Sequence, residues 1–435
     1  MAIARRVLYS SRVNFLIQVC FWLALLLPYS AIAQHQTRWW KGNLHTHTFW
    51  SDGDDFPEMV VDWYKTRGYD FLALSDHNIL QEGSAWLIAT NGTQARAALP
   101  KYLRRFGSNW VQQARYDGMD VVRLKTLEEF RGQFEQPGRF LLIQAEEITD
   151  HFGNWPIHLI ASNIRELVPP QGGRTIVEVM QNNVDAVLEQ RKRTGQPMIP
   201  HIAHPNFHWA LTAEDMAQVK GERFFELYNG HAQVHNEGNR YHASTERMWD
   251  IINTQRISER RDAPMWGLAV DDGHNYHKFT NSYSNPGRGW IEVRASRLRA
   301  REIIEALEAG DFYASSGVRL KDVSFKRGRL SIEIEPEPGV TYTTEFIGTR
   351  RPVDWRTEEV TGAKGHKLAV TPIHSKGIGA VLSEVRGTKA SYTVERNELY
   401  VRAKITSSKL KENAVVRGEL ECAWTQPVLI EGASR

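Results

Sequence analysis

Cysteine is nearly absent from this sequence. Cys20 and Cys422 are the only two among 435 residues, which excludes a disulfide-stapled scaffold and a cysteine-rich metal cluster. Also missing are an internal repeat and a low-complexity tract. Net charge is small, with 54 Lys and Arg against 51 Asp and Glu.

Even that small excess sits at the amino terminus. Arg5, Arg6 and Arg12 are followed by a 13-residue apolar run over residues 15–27, broken only by Gln18, and then by PYSAIA with Ala31 and Ala33 spaced as A-x-A. A membrane-crossing helix needs about 20 apolar residues. The pattern predicts a secretory signal peptide over residues 1–33, and hence a periplasmic or extracellular protein with no membrane association after cleavage. Removing residues 1–33 leaves 51 basic against 51 acidic residues. No basic surface for nucleic acid is then indicated, Cys422 stands alone, and any metal site must use nitrogen and oxygen ligands.

From residue 34 to 318 short apolar runs alternate with segments of helical spacing. The runs are WWKGNLHTH, YDFLALSDHN, RFLLIQAEEIT, IHLIASN, PMIPHIAHPN, RFFELYNG, PMWGLAVDDGH and RGWIEVRA. FPEMVVDWYKTRG, TIVEVMQNNVDAVLEQRKRTG and REIIEALEAGDF carry apolar residues at helical intervals. Such alternation predicts parallel βα units in a barrel or a doubly wound sheet. Residues 319–435 read instead as alternating strands and turns, a small all-β, sandwich-like domain. There His366 and His374 read as surface residues. Trp355, Tyr342, Phe346 and Trp424 either bind a polymer or pack the module onto the barrel.

The apolar runs tend to end in metal-type residues. The candidates are His45, His47 and Asp52, then Asp76 and His77, Glu146 and Glu147, His158, His201 and His204, and finally Asp271, Asp272 and His274. In βα folds the carboxyl ends of the strands share one face, so residues distant in sequence converge there. Residues i and i+2 of a strand point to one side, which lets His45 and His47 face one ion and predicts the same for Asp272 and His274. One of His201 and His204 serves as a ligand, and one of the two glutamates reads as a solvated loop residue. His208, His231, His235 and His242 lie in loops and helix-like stretches and are left out of the set.

Taken in order, His45-Thr-His47, Ser51-Asp52-Gly, Ser75-Asp76-His77-Asn, Glu147-Ile-Thr, Ile-His158-Leu-Ile, Ala203-His204-Pro and Asp272-Gly-His274 resemble the motifs of the polymerase and histidinol phosphatase (PHP) family. The resemblance covers the chain from about Trp39 to Gly317. WWKGNLHTHT with GLAVDDGHN is most similar to the exported, carbamate-hydrolase-like branch. The amidohydrolase superfamily also opens on H-x-H, but it bridges its metals with a modified lysine and ends on a lone Asp.

The resemblance implies a distorted (β/α)7 barrel followed by the all-β domain. It also implies two or three divalent ions (Zn, Mn or Fe) held by His45, His47, Asp52, His77, Glu147, His158, His204, Asp272 and His274. Glu147 would bridge two ions, and Asp52 stands where many members carry His.

Nine nitrogen and oxygen donors exceed the coordination of one ion. Hydrolysis follows as the expected chemistry, with a metal-bound hydroxide attacking a phosphoester or, as the alternative, a carboxyl or carbamate ester. A non-catalytic metal- or polymer-binding role is the lesser alternative. Asp76 is expected to orient His77 or shuttle a proton, with Asp271 a second candidate for such a role. Arg288 and Arg319 are candidates for substrate contact. The expected partner is a small ester, phosphorylated by preference.

Overall fold

A computed structural model describes residues 37–362 and 367–430. The expected signal peptide and His366 lie outside the described residues.

The ring that carries the candidate residues is built from β1 (Arg38–Asn43), β2 (Phe71–Leu74), β6 (Leu141–Phe152), β7 (Trp155–Ser162), β8 (Ile199–Ile202), β9 (Phe224–Asn229) and β10 (Trp266–Val270). Between β2 and β6, a small sheet of β3 (Ala85–Ile88), β4 (Gln113–Tyr116) and β5 (Met119–Leu124) is inserted, with the helix Gln94–Phe106 packed on it. Neighbour order in the main sheet is β10-β9-β8-β7-β6-β2-β1. A parallel bridge between Thr46 and Gly273 joins the two outer members, with the Asp272 amide donating to the His45 carbonyl and the His47 amide to that of Gly273, both at 3.0 Å.

Strands buried on both faces read as unbroken apolar runs. β9 (FFELYN) and β10 (WGLAV) are buried throughout. Side chains alternate across each strand, so Phe71 and Ala73 of β2 enter one core while Leu72 and Leu74 pack against outer helices. The helix Ile176–Thr194 shows how local chemistry fixes its ends. The Thr175 side chain accepts the Glu178 amide, Gly195 closes the helix at φ 66°, and Arg191, Lys192 and Arg193 occupy its last turn.

One strand departs from the parallel expectation. β6 and β7 form an antiparallel hairpin in which Phe152 pairs with Trp155 across Gly153 and Asn154. β7 therefore runs against its neighbours, and His158 lies near its beginning rather than its end. The reversed direction brings that beginning to the same rim.

Beyond the ring come β11 (Trp290–Ala295) and β12 (Phe312–Ser315), then β13 (Leu320–Lys326), β14 (Arg329–Ile334), β15 (Tyr342–Arg350), β16 (Thr357–Glu358), β17 (Ile373–His374), β18 (Ala380–Arg386), β19 (Lys389–Thr393), β20 (Glu398–Leu410) and β21 (Leu420–Thr425). No helix occurs after residue 318 among the described residues. The main sheet nevertheless runs across that point through the β12–β21 pairing and continues through β20 and β15.

Two buried arginines fasten the segments together. Arg402 of β20 makes a bidentate pair with Asp250 of the helix Thr245–Gln255 at 2.8 and 2.7 Å. Arg288 donates to the carbonyls of Gly230, Thr280, Tyr283 and Asn413. Arg288 is thus an internal tie rather than a substrate contact, because its donors are consumed by backbone carbonyls. Arg319 pairs at the surface with Glu335. Tyr342, Phe346 and Trp424 are buried in the core, which removes them from any binding surface and leaves Trp355 partly exposed. His374 is also buried, with Nε2 2.7 Å from Glu214 Oε1, and is not the surface residue expected.

Candidate metal centre

All nine candidate ligands converge on one rim of the ring. Thr46 pairs with Gly273 as in a strand, so its two neighbours point to one side and the Nε2 atoms of His45 and His47 lie 3.0 Å apart. Each is 3.1 Å from Glu147 Oε2 and 3.3 Å from Asp272 Oδ1. Four ligand atoms around a metal at about 2.0–2.2 Å need edges of roughly 3.0–3.5 Å. His45, His47 and Glu147 thus form one group spaced to hold an ion, and His45, His204 and Asp272 form another.

The pleat of β6 separates the two glutamates. Glu147 and Thr149 share a face, and the register places His158 opposite Thr149 on that face. Glu147 Oε1 lies 2.8 Å from His158 Nδ1 and 3.0 Å from His204 Nε2. His77 Nδ1 also lies 3.1 Å from Glu147 Oε2, so one carboxylate spans His45, His47 and His77 on one oxygen and His158 and His204 on the other. Glu146 points to the opposite face, where Oε1 accepts the Val168 amide at 2.6 Å. It is buried rather than solvated, and burial pushes its carboxyl up to about 8.

A third group forms around Asp52, whose Oδ1 is 3.3 Å from His274 Nε2 and 3.5 Å from His77 Nε2. The His77 Nδ1 is held 2.5 Å from the Thr149 hydroxyl. Asp272 and His274 do not repeat the geometry of His45 and His47. Asp272 has φ 48°, which bends the chain, so its carboxylate joins His45 and His47 while His274 turns to Asp52. His204 is also at positive φ, 22°. Such backbone is uncommon outside glycine and costs free energy that the surrounding fold must offset. Gly53 completes the Asp52 turn, since a Cβ there would lie 2.7 Å from the His47 backbone.

Asp76 and Asp271 hold the frame instead of facing the cluster. Asp76 accepts from the Thr48 amide and hydroxyl, the Ser51 hydroxyl and Gln81 Nε2 at 2.7–2.9 Å. It fixes the turn that presents Asp52, and its lone pairs are committed. Asp271 accepts from the Gly287, Arg288 and Gly289 amides and from the Tyr64 hydroxyl. Both roles differ from the orientation of His77 or proton shuttling expected from sequence.

Two residues beneath the cluster were not singled out in the sequence. Glu226 accepts His45 Nδ1–H at 2.6 Å, His201 Nε2–H at 3.1 Å, the His204 amide at 2.7 Å and Asn229 Nδ2–H at 2.7 Å. The bond to Nδ1 leaves the His45 Nε2 lone pair facing the cluster, as a ligand requires. Asn229 also donates to Asp272 Oδ2 at 3.0 Å. Both lie in the RFFELYNG run, where a polar pair three apart inside an apolar strand was the available signal.

Without an ion the donors shift one another. Burial raises the Glu147 carboxyl, but His77, His45 and His158 outweigh this and hold it well below the usual range. Burial likewise opposes the charged form of His45, yet Asp272, Glu226 and Glu147 keep it well above the ordinary imidazole value. Among the described residues no Lys or Arg pairs with any of the nine side chains. His231 sits beside the cluster, its ring 5.2 Å from that of His274. Its Nδ1 accepts the Gln233 amide at 3.1 Å, so the proton of the neutral ring is on Nε2.

No protein-family model matches the chain, and no curated protein does. Solved structures similar to it include a two-domain protein from Bacteroides vulgatus containing a predicted PHP-like metal-dependent phosphoesterase. That likeness has 13% identity and a TM-score of 0.37, covering 91% of this chain and 95% of that one. An amidohydrolase from Chromobacterium violaceum with bound sulfate and no metal is similar at 13% identity and a TM-score of 0.27, over 54% of this chain and 87% of that one. At these TM-scores the likenesses leave the centre to be read from its own atoms.

Proposed function

We propose that this chain is an exported, metal-dependent hydrolase of the PHP type that cleaves small ester substrates, phosphoesters foremost. The observation that carries this reading is the Glu147 carboxylate, shared between His45, His47 and His77 on one oxygen and His158 and His204 on the other. Asp272 gathers with His45 and His204, and Asp52, His77 and His274 gather with His47 in a further group. Imidazole and carboxylate donors in this number suit two or three ions of zinc, manganese or iron. Divalent ions held there would acidify water and neutralise the oxygens of an ester.

The remaining steps belong to the chain. With neutral imidazoles, Asp52, Glu147 and Asp272 leave the cluster negative, so a phosphate dianion can bind only with cations present. Glu226 and Asn229 hold the donors in place during turnover. His231 presents Nε2–H beside the cluster, where it can donate a hydrogen bond to the departing oxygen while water supplies the proton.

A neutral carboxyl or carbamate ester is a second reading, favoured by a specific feature. The Phe207 ring lies 5.1 Å from His204 and 5.8 Å from His231, an apolar wall at the mouth.

The test is a panel of nitrophenyl phosphomonoesters, phosphodiesters, carboxyl esters and carbamates, run on protein stripped of metal and then reconstituted. Metal-dependent phosphate release that His45→Ala abolishes is expected. Cleavage of carboxyl or carbamate esters alone would replace the first reading with the second.

A further inference from the structure

A cavity of about 360 Å3 lies apart from the metal centre and is lined by none of its residues. One wall carries Lys41, Trp63, Arg67, Tyr69, Phe279 and Trp290. The Lys41 side chain extends between two rings, with Nζ 4.0 Å from the centre of Tyr69 and 3.9 Å from that of Trp290. Among the described residues this ammonium has no hydrogen-bond acceptor and no carboxylate within 4 Å. Arg67 lies over Trp63 at 4.2 Å and has no carboxylate partner there either.

The opposite wall behaves differently. Lys409 is paired with Glu337 at 2.8 Å and Glu421 at 3.3 Å. Lys411 donates to the Arg288 carbonyl at 2.8 Å and to Glu419 at 3.1 Å. Positive charge is thus neutralised on one side of the cavity and left open on the other. A half-buried ammonium is costly without an anion or water to meet it. Burial in fact lowers Lys41 to about 8, against the pull of Glu292 and Asp271. The rings beside it offer flat apolar faces to the body of a ligand.

We propose that this cavity is a second binding site, for a small molecule with a flat apolar body and one carboxylate or phosphate-type group, the oxyanion on Lys41 and the body against Trp63, Phe279 and Trp290. The site is independent of the chemistry proposed for the metal centre.

Isothermal titration of the purified full chain with benzoate, phenylphosphonate and benzyl alcohol tests it. At least one of the two anions is expected to bind, and benzyl alcohol to bind at least tenfold more weakly. Benzoate alone would assign a carboxylate ligand, and phenylphosphonate alone a phosphate-bearing one. Lys41→Met should weaken the anion at least tenfold at unchanged melting temperature. Arg67→Gln, at an exposed position, should weaken it about threefold and serves if Lys41→Met fails to fold. His45→Ala should bind as the unmodified chain does, which separates this site from the metal centre. Equal binding of benzyl alcohol, no binding of either anion, or wild-type affinity in both charge variants would overturn the proposal.

Discussion

Glu226→Gln is the most informative change because it removes no ligand. The carboxylate accepts four donors, two on each oxygen: His45 Nδ1–H and His201 Nε2–H on Oε1, and the His204 amide and Asn229 Nδ2–H on Oε2. A glutamine of the same shape has one accepting oxygen, and its NH2 group must face two of those donors. Each buried donor left unmet costs about 1–3 kcal/mol. Loss of an outer partner of a metal-bound histidine typically costs 10–100-fold in metal affinity, about 1.4–2.7 kcal/mol. The orientation of His45 and the backbone of His204, itself at positive φ, would both relax. Metal affinity measured against a competing chelator should therefore fall at least tenfold, together with the melting temperature. Affinity within twofold of the unmodified protein would refute the claim that Glu226 sets the cluster.

Other outcomes follow from the same geometry. Glu222 is fully buried, with Oε2 unpartnered, and burial pushes its carboxyl up to about 8. A folded-state pKa above the unfolded value favours folding at low pH, and that stability is lost as pH rises from about 4.5 to about 8, by at most ~1.4 kcal/mol per pH unit. Melting of Glu222→Gln should fall less than that of the wild type between pH 6 and 9; parallel curves would contradict this. Gly53→Ala forces a Cβ against the His47 backbone, so metal analysis should show loss of the ion at Asp52 with the others retained. Asp271→Asn should lower stability by about 1–3 kcal/mol in denaturant titration while the folded fraction keeps its metal; a fully stable but inactive variant would return Asp271 to the chemistry. His231→Phe should lower kcat most for substrates with poor leaving groups and leave KM nearly unchanged. An equal loss with nitrophenyl and alkyl esters would remove its role as a hydrogen-bond donor to the leaving oxygen.

How much was legible depended on whether local sequence controlled the geometry. His45 and His47 were readable because the i, i+2 rule holds on extended chain. The same rule failed at Asp272 and His274, where positive φ at Asp272 bends the chain. The choice of Glu147 over Glu146 has a physical basis in the pleat and the β6–β7 register, which sequence alone does not supply. The reversal of β7 was signalled by Gly153-Asn154 between two apolar runs, a two-residue hairpin cue. Arg288 was opaque because its partners, from Gly230 to Asn413, meet only in the folded chain. Asp76 and Asp271 drew attention as neighbours of ligands, yet in each case the carboxylate faces a different set of donors from the cluster.

The central claim is that Glu147 joins two metal positions. Its most direct test is the metal content per chain of reconstituted wild-type and Glu147→Gln protein by plasma mass spectrometry, at matched circular dichroism. Two or more ions in the wild type and no more than one in the variant is the predicted result. A wild type that retains no ion, or a folded variant with an unchanged count, would contradict it.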